Sequence, residues 1–136
     1  MFRIKDSNIF LTRGDKATIN LSIIDYKFKV GDIVKFKLYN ANALNKEAIL
    51  IKEIEIKEEV DDIDIELSSE ETKIGKMRNT AVEFWYEIEL NNNQTILGYD
   101  EEGPKKLILY PEGMDINEWI KRSDSRKRKH NRNIKQ

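Results

Sequence analysis

The side chains best suited to chemistry in this sequence are carboxylates. They cluster in "EEVDDIDIE" (58–66) and in "YDEEG" (99–103). Paired acids can hold calcium or divide the work of general acid and base. A carboxylate becomes functional when burial and converging neighbours shift its affinity for protons. Neither condition is visible here. In "DIDIE" the acids alternate with Ile63 and Ile65, which places them on the wet face of a strand. "YDEEG" reads as a polar turn. The chain has no Cys, and its one His, His130, lies in the C-terminal tail. A usual zinc site and a nucleophile–base pair therefore lack their ligands and their base. No glycine-rich phosphate loop or dinucleotide fingerprint occurs. The expectation is a protein with no catalytic residues, no metal and no cofactor, and not an enzyme.

Two other groups invite a functional reading. Arg13-Gly14-Asp15 spells an adhesion tripeptide, but it stands in a turn just before an alternating strand, where Gly and Asp are turn formers in their own right. It is read as structure. Phe84, Trp85 and Tyr86 suggest a platform for a sugar or a base. By parity Phe84 and Tyr86 point inward, which leaves Trp85, for which cross-strand packing or a protein contact is the simpler role.

The strongest compositional signal is the C-terminal "KRSDSRKRKHNRNIKQ". Residues 121–136 hold eight basic residues and one acid, which leaves 16 basic and 24 acidic residues in positions 1–120. A chain of formal net charge −1 is thus an acidic body with a basic end. Such a tail can release counterions from nucleic-acid phosphates. The acidic body would repel the same duplex. A protein surface carrying both signs suits both parts, and opposite ends also favour contact between copies.

The elements that must position these groups have period two. Ala17, Ile19, Leu21 and Ile23 share one face of "ATINLSII". "VKFKLY", "VDDIDIEL" and "VEFWYEIEL" alternate likewise. Strict alternation marks a strand with one buried and one wet face, as in antiparallel sheets. Phe84, Tyr86 and Ile88 should be buried, and Glu87 and Glu89 exposed. "AILIKEIEI", "KLILY" and a short "TILGY" read as further strands. "TRGDK", "KVGD", "NNNQ" and "DEEGPK" are turn signals between them. In "SSEETKIGK", Ser68 or Ser69 followed three residues later by Glu71 or Thr72 suggests one helical turn, ended near Gly75. "MDINEWIKR" reads as a helix capped by Asp115, with Glu118 at its third position and Ile116, Trp119 and Ile120 on one face.

The spacing predicts an all-β protein, an antiparallel β-sandwich of about seven to eight strands with a short C-terminal helix and basic tail. A partly open barrel is the alternative. The expected division is a sandwich domain at 1–113, a terminal helix at 114–122 and a basic tail at 123–136. At 136 residues the chain supports one core. "MFRIKDSNIF" holds no apolar run of signal-peptide length, and no run of about 18 apolar residues occurs, so no membrane contact is expected and synthesis in the cytoplasm is.

"IKDSNIFLTRGDKATINLSI" followed by "YKFKVGDIVKFKLY" resembles the opening of small β-sandwich structural proteins of tailed phages and prophages of Gram-positive bacteria, particularly clostridia. "ELSSEETKIG" and "VEFWYEIELNNNQTILGYDEEGPKKLILYPEG" continue the likeness, through the helical turn, the hairpin and the last strand. Similar modules begin the upper baseplate proteins of lactococcal-type phages. The resemblance covers residues 1 to about 113. It implies a virion structural role, with the major capsid protein or other virion proteins as partners, along with copies of the chain itself. Baseplate versions usually carry large additional domains that are missing here. The expectation is therefore an accessory, or decoration, protein on the outer capsid surface, with a tail or baseplate component as the alternative. A nucleic-acid-binding protein acting through the tail is the alternative of another class. The expected grip on the partner is Ile116, Trp119 and Ile120, together with Arg126, Lys127, Arg128 and Lys129.

Overall fold

The computed structural model describes residues 1–112. The expected helix at 114–122 and tail at 123–136, with all seven expected partner-binding residues, lie outside the described residues.

The described chain is all-β: β1 (Phe2–Lys5), β2 (Asn8–Thr12), β3 (Ala17–Ser22), β4 (Ile33–Asn40), β5 (Leu50–Glu55), β6 (Asp62–Leu67), β7 (Val82–Leu90), β8 (Gln94–Leu97) and β9 (Lys105–Tyr110). Seven of them run in one sheet of order β1-β2-β9-β7-β4-β5, with β8 pairing the C-terminal half of β7. β3 and β6 form a second, two-stranded sheet.

The two sheets bury the faces that parity assigns. β3 alternates strictly between buried Ala17, Ile19 and Leu21 and exposed Thr18, Asn20 and Ser22. Opposite them the large sheet presents Val34, Phe36 and Leu38 from β4 and Phe84, Tyr86, Ile88 and Leu90 from β7. Phe28, Phe36, Leu11, Ile65 and Leu107 have no appreciable exposed surface. Burying a side chain of this kind stabilises the fold by about 1.5–3 kcal/mol.

One strand pair departs from the antiparallel expectation. β2 and β9 run parallel, with Ile9 opposite Leu107 and Leu11 opposite Leu109. Alternation tells which face of a strand is buried and says nothing of its direction, so the sequence pattern could not reveal this pairing.

The hairpins follow from local chemistry. Lys5 pairs with Asn8, and the two residues between them, Asp6 and Ser7, both have positive φ (53° and 65°). This is the backbone of the two-residue turn whose twist matches flanking strands. At the β7–β8 tip Asn91 and Asn92 take φ of 55° and 60°, as the Asn run suggested. Parity also holds on the outer face of β7, with a difference in degree. Glu87 and Glu89 face away from the core but are half-buried, and Lys37 on β4 reaches across to Glu89 at 3.0 Å.

Candidate functional site

The long connection from β6 to β7 folds onto the Arg-Gly-Asp turn at one end of the sandwich. Ser68 and Glu71 cap one helical turn reciprocally. The Ser68 amide donates to Glu71 Oε1 at 3.0 Å, and the Glu71 amide donates to Ser68 Oγ at 3.1 Å. Lys52 Nζ, at the edge strand β5, donates to both Glu71 oxygens at 2.8 and 2.9 Å. This ammonium first, then the Ser68 amide, holds the Glu71 carboxyl below its ordinary range.

The cap aims Thr72 at the tripeptide. Thr72 is fully buried. Its Oγ1 accepts from the Gly14 amide at 3.1 Å and donates to the Asp15 carbonyl at 2.8 Å. The tripeptide side chains are engaged as well. Asp15 pairs with the Met1 amino group. Arg13 donates to Glu112 Oε1 and to the Gly75 carbonyl, both at 3.1 Å. The structure thus places Arg13-Gly14-Asp15 as a knot joining the start of the chain, the β6–β7 connection and the end of β9.

Beside this knot is an open cleft of about 140 Å³. Val82, Phe84 and Leu109 form its floor, and Arg13, Lys76 and Arg78 stand among its walls. It exists because the two-stranded sheet is shorter than the strands beneath it. β3 and β6 have six residues each, whereas β7 has nine. The 74–80 segment covers the remainder incompletely. Arg13 Nε is buried there and has no acceptor among the described residues. Buried donors of this kind are rare in folded proteins. Sequence reasoning missed this cleft. Its one signal was "KIGKMRNT" (73–80), which carries three basic residues and no acid.

Of the carboxylates singled out in the sequence, Asp62, Asp64 and Asp100 hold neighbouring strands and turns together. Asp62 and Asp64 lie on the exposed face of β6, where the Asn20 amide donates to them at 3.1 and 2.9 Å. In the "YDEEG" turn Asp100 exchanges backbone hydrogen bonds with Gly103 and accepts from Lys105 Nζ at 2.8 Å. The buried Lys105 ammonium, then the Glu102 amide, depresses the Asp100 carboxyl. Trp85 is half-buried on the outer face. Its indole donates to Glu83 at 2.8 Å, and its ring lies 5.9 Å from that of Tyr99. Its register partners are Tyr39 and Lys106. This is the cross-strand packing role. Tyr39 is itself buried, and its hydroxyl pKa is pushed up to about 12 by desolvation and by Glu87.

Comparison with protein-family models, curated proteins and solved structures returns no match.

Proposed function

We propose that the chain is a structural, protein-binding module, and more specifically an accessory protein on the outer capsid surface of a tailed phage. The observation that carries this reading is the division of charge. A folded all-β body that carries the excess of acids is followed by a segment of opposite sign. The motif resemblance supplies the virion context. In this reading residues 121–136, notably Arg126, Lys127, Arg128 and Lys129, lie along an acidic patch of the major capsid protein. Ile116, Trp119 and Ile120 add the apolar contact that charge alone does not provide. Exposed ion pairs are worth only about 0.2–1 kcal/mol each, but repetition over a shell of identical subunits multiplies weak contacts into firm attachment.

The likeness to modules that begin baseplate proteins favours a second reading, a tail or baseplate component. Locating the chain on purified particles tests both. Density or label spread over the capsid supports the first reading, and label confined to the tail tip replaces it with the second. A chain missing from particles but retained on duplex DNA at physiological salt would make it a nucleic-acid-binding protein instead.

A further inference from the structure

We infer that the cleft beside Arg13 is a binding site for a small organic acid, a carboxylate carried on an apolar body the size of a benzene ring. The inference goes beyond the virion reading and does not depend on it.

The connection from β6 to β7 builds the site and is itself held in place. Thr72 ties it to the Gly14 amide and the Asp15 carbonyl, and Arg13 ties it again through the Gly75 carbonyl at 3.1 Å. Gly75 has φ of +64°, a left-handed bend that glycine adopts freely. Just beyond this bend come Lys76 and Arg78, both of which line the cleft.

The charge of the lining is one-sided. Arg13, Lys76 and Arg78 belong to it, and no acid does. Lys35, Lys37, Lys52, Lys105 and Lys106, on the strands, each pair with a carboxylate of the body. The side chains of Lys76 and Arg78 are exposed and have no ion pair or hydrogen bond among the described residues. Arg13 is engaged through its terminal nitrogens by Glu112 and the Gly75 carbonyl, while its Nε has no acceptor among the described residues. One carboxylate thus answers Arg13, and two cations at the same cleft remain for an incoming anion. A guanidinium such as that of Arg78 takes a carboxylate through two parallel hydrogen bonds.

The floor sets the rest of the ligand. Val82 faces Leu109 across β7 and β9, and Phe84 lies beside them. A cavity of roughly 150 Å³ accommodates one benzene-sized group, and this cleft offers about 140 Å³. Inorganic phosphate would leave the apolar floor uncovered. A neutral hydrocarbon would leave the cations unanswered. A compact apolar carboxylate meets both, with its ring on the floor and its charged group at the wet rim.

The test titrates benzoate into the full chain and follows the backbone amide resonances. Saturable shifts are expected at residues 74–80, Val82 and Leu109. Benzyl alcohol and inorganic phosphate should each bind several-fold more weakly than benzoate. A Lys76→Gln/Arg78→Gln double variant should lose benzoate affinity several-fold while its far-ultraviolet dichroism stays that of a β protein. Lys27→Gln/Lys46→Gln, which removes two exposed cations that do not line the cleft, should leave the affinity unchanged. The inference is overturned if benzoate produces no saturable shift at the cleft, or if both double variants lose affinity alike. Phosphate binding as tightly as benzoate would reduce the cleft to a simple anion site, and benzyl alcohol doing so would reduce it to an apolar hollow. Either result overturns the carboxylate assignment. So does displacement of the 113–136 resonances toward unfolded positions as benzoate enters, which would make the chain's own end the occupant.

Discussion

Thr72 Oγ1 holds both the Gly14 amide, at 3.1 Å, and the Asp15 carbonyl, at 2.8 Å, from a fully buried position 57 residues from Asp15. One hydroxyl thus satisfies two backbone groups of a turn that no strand can pair. Thr72→Val keeps the shape and removes both partners. Leaving buried polar groups unsatisfied costs about 1–3 kcal/mol, so the urea midpoint should fall accordingly. Thr72→Ser, which retains the hydroxyl, should lose distinctly less. Equal losses in the two variants would assign the effect to packing rather than to the hydrogen bonds.

The same geometry bears on the adhesion tripeptide. Gly14 has φ of +88°, and an added Cβ would stand 3.3 Å from Glu112 Oε1 and 3.5 Å from Lys73 Cε. Gly14→Ala should destabilise the fold by about 1–2 kcal/mol from the left-handed backbone alone. Asp15→Glu keeps the charge and abolishes the adhesion match, and should leave assembly and attachment to host cells unchanged. An intact particle that loses host attachment with this change would give the tripeptide a recognition role.

Seven of the nine strands were legible as alternating or apolar runs, because each presents one face to a core and one to water. β1 and β2 were not, for a local reason. Phe2–Lys5 is only four residues long, and the Asp6-Ser7 turn lacks the Gly that usually marks a two-residue hairpin. The capping pair Ser68 and Glu71 was readable because its spacing is fixed by helix geometry. What it positions was not. That Thr72 meets Gly14, or that Arg78 and Arg13 share a cleft, depends on which strands become neighbours, and β2 beside β9 joins the two ends of the described chain.

Asp32 organises the opposite end. It accepts from the Lys29 amide at 2.9 Å, the Tyr26 hydroxyl at 2.6 Å and the Asn91 side-chain amide at 3.1 Å. The Lys29 amide is the largest of the causes that hold its carboxyl below the ordinary range. A depressed folded value means that the native state favours the ionised form. The stability this contributes is complete above the unfolded value, about 3.9. It is lost as pH falls through the lower folded value. Asp32→Asn should therefore lower the urea midpoint at pH 7, with the gap to the unsubstituted protein narrowing below about pH 4. Residual acid sensitivity in the variant is expected from Glu71 and Asp100, which are depressed by Lys52 and Lys105. A gap that stays constant from pH 7 to pH 3 would mean that Asp32 acts through shape and not through its charge.

The tail carries the functional risk. A segment with eight basic residues and one acid, attached to a body with 24 acids and 16 bases, responds to any charged partner in two opposed ways. Duplex DNA attracts one part and repels the other. A protein surface with patches of both signs satisfies both, within the screening length of about 10 Å at 0.1 M salt. Among the described residues the core cluster lies between Ile9 and Leu109. Deleting residues 121–136 should leave the cooperative unfolding transition in place and weaken binding to purified particles. Raising the salt should weaken the full chain in the same way and leave the truncated one nearly unaffected. Trp119→Ala should weaken attachment even at high salt, since its contribution is apolar and not screened. If the truncated protein decorates particles as well as the full chain, while the full chain retains duplex DNA at physiological salt, the tail is a nucleic-acid arm and the acidic protein partner is wrong.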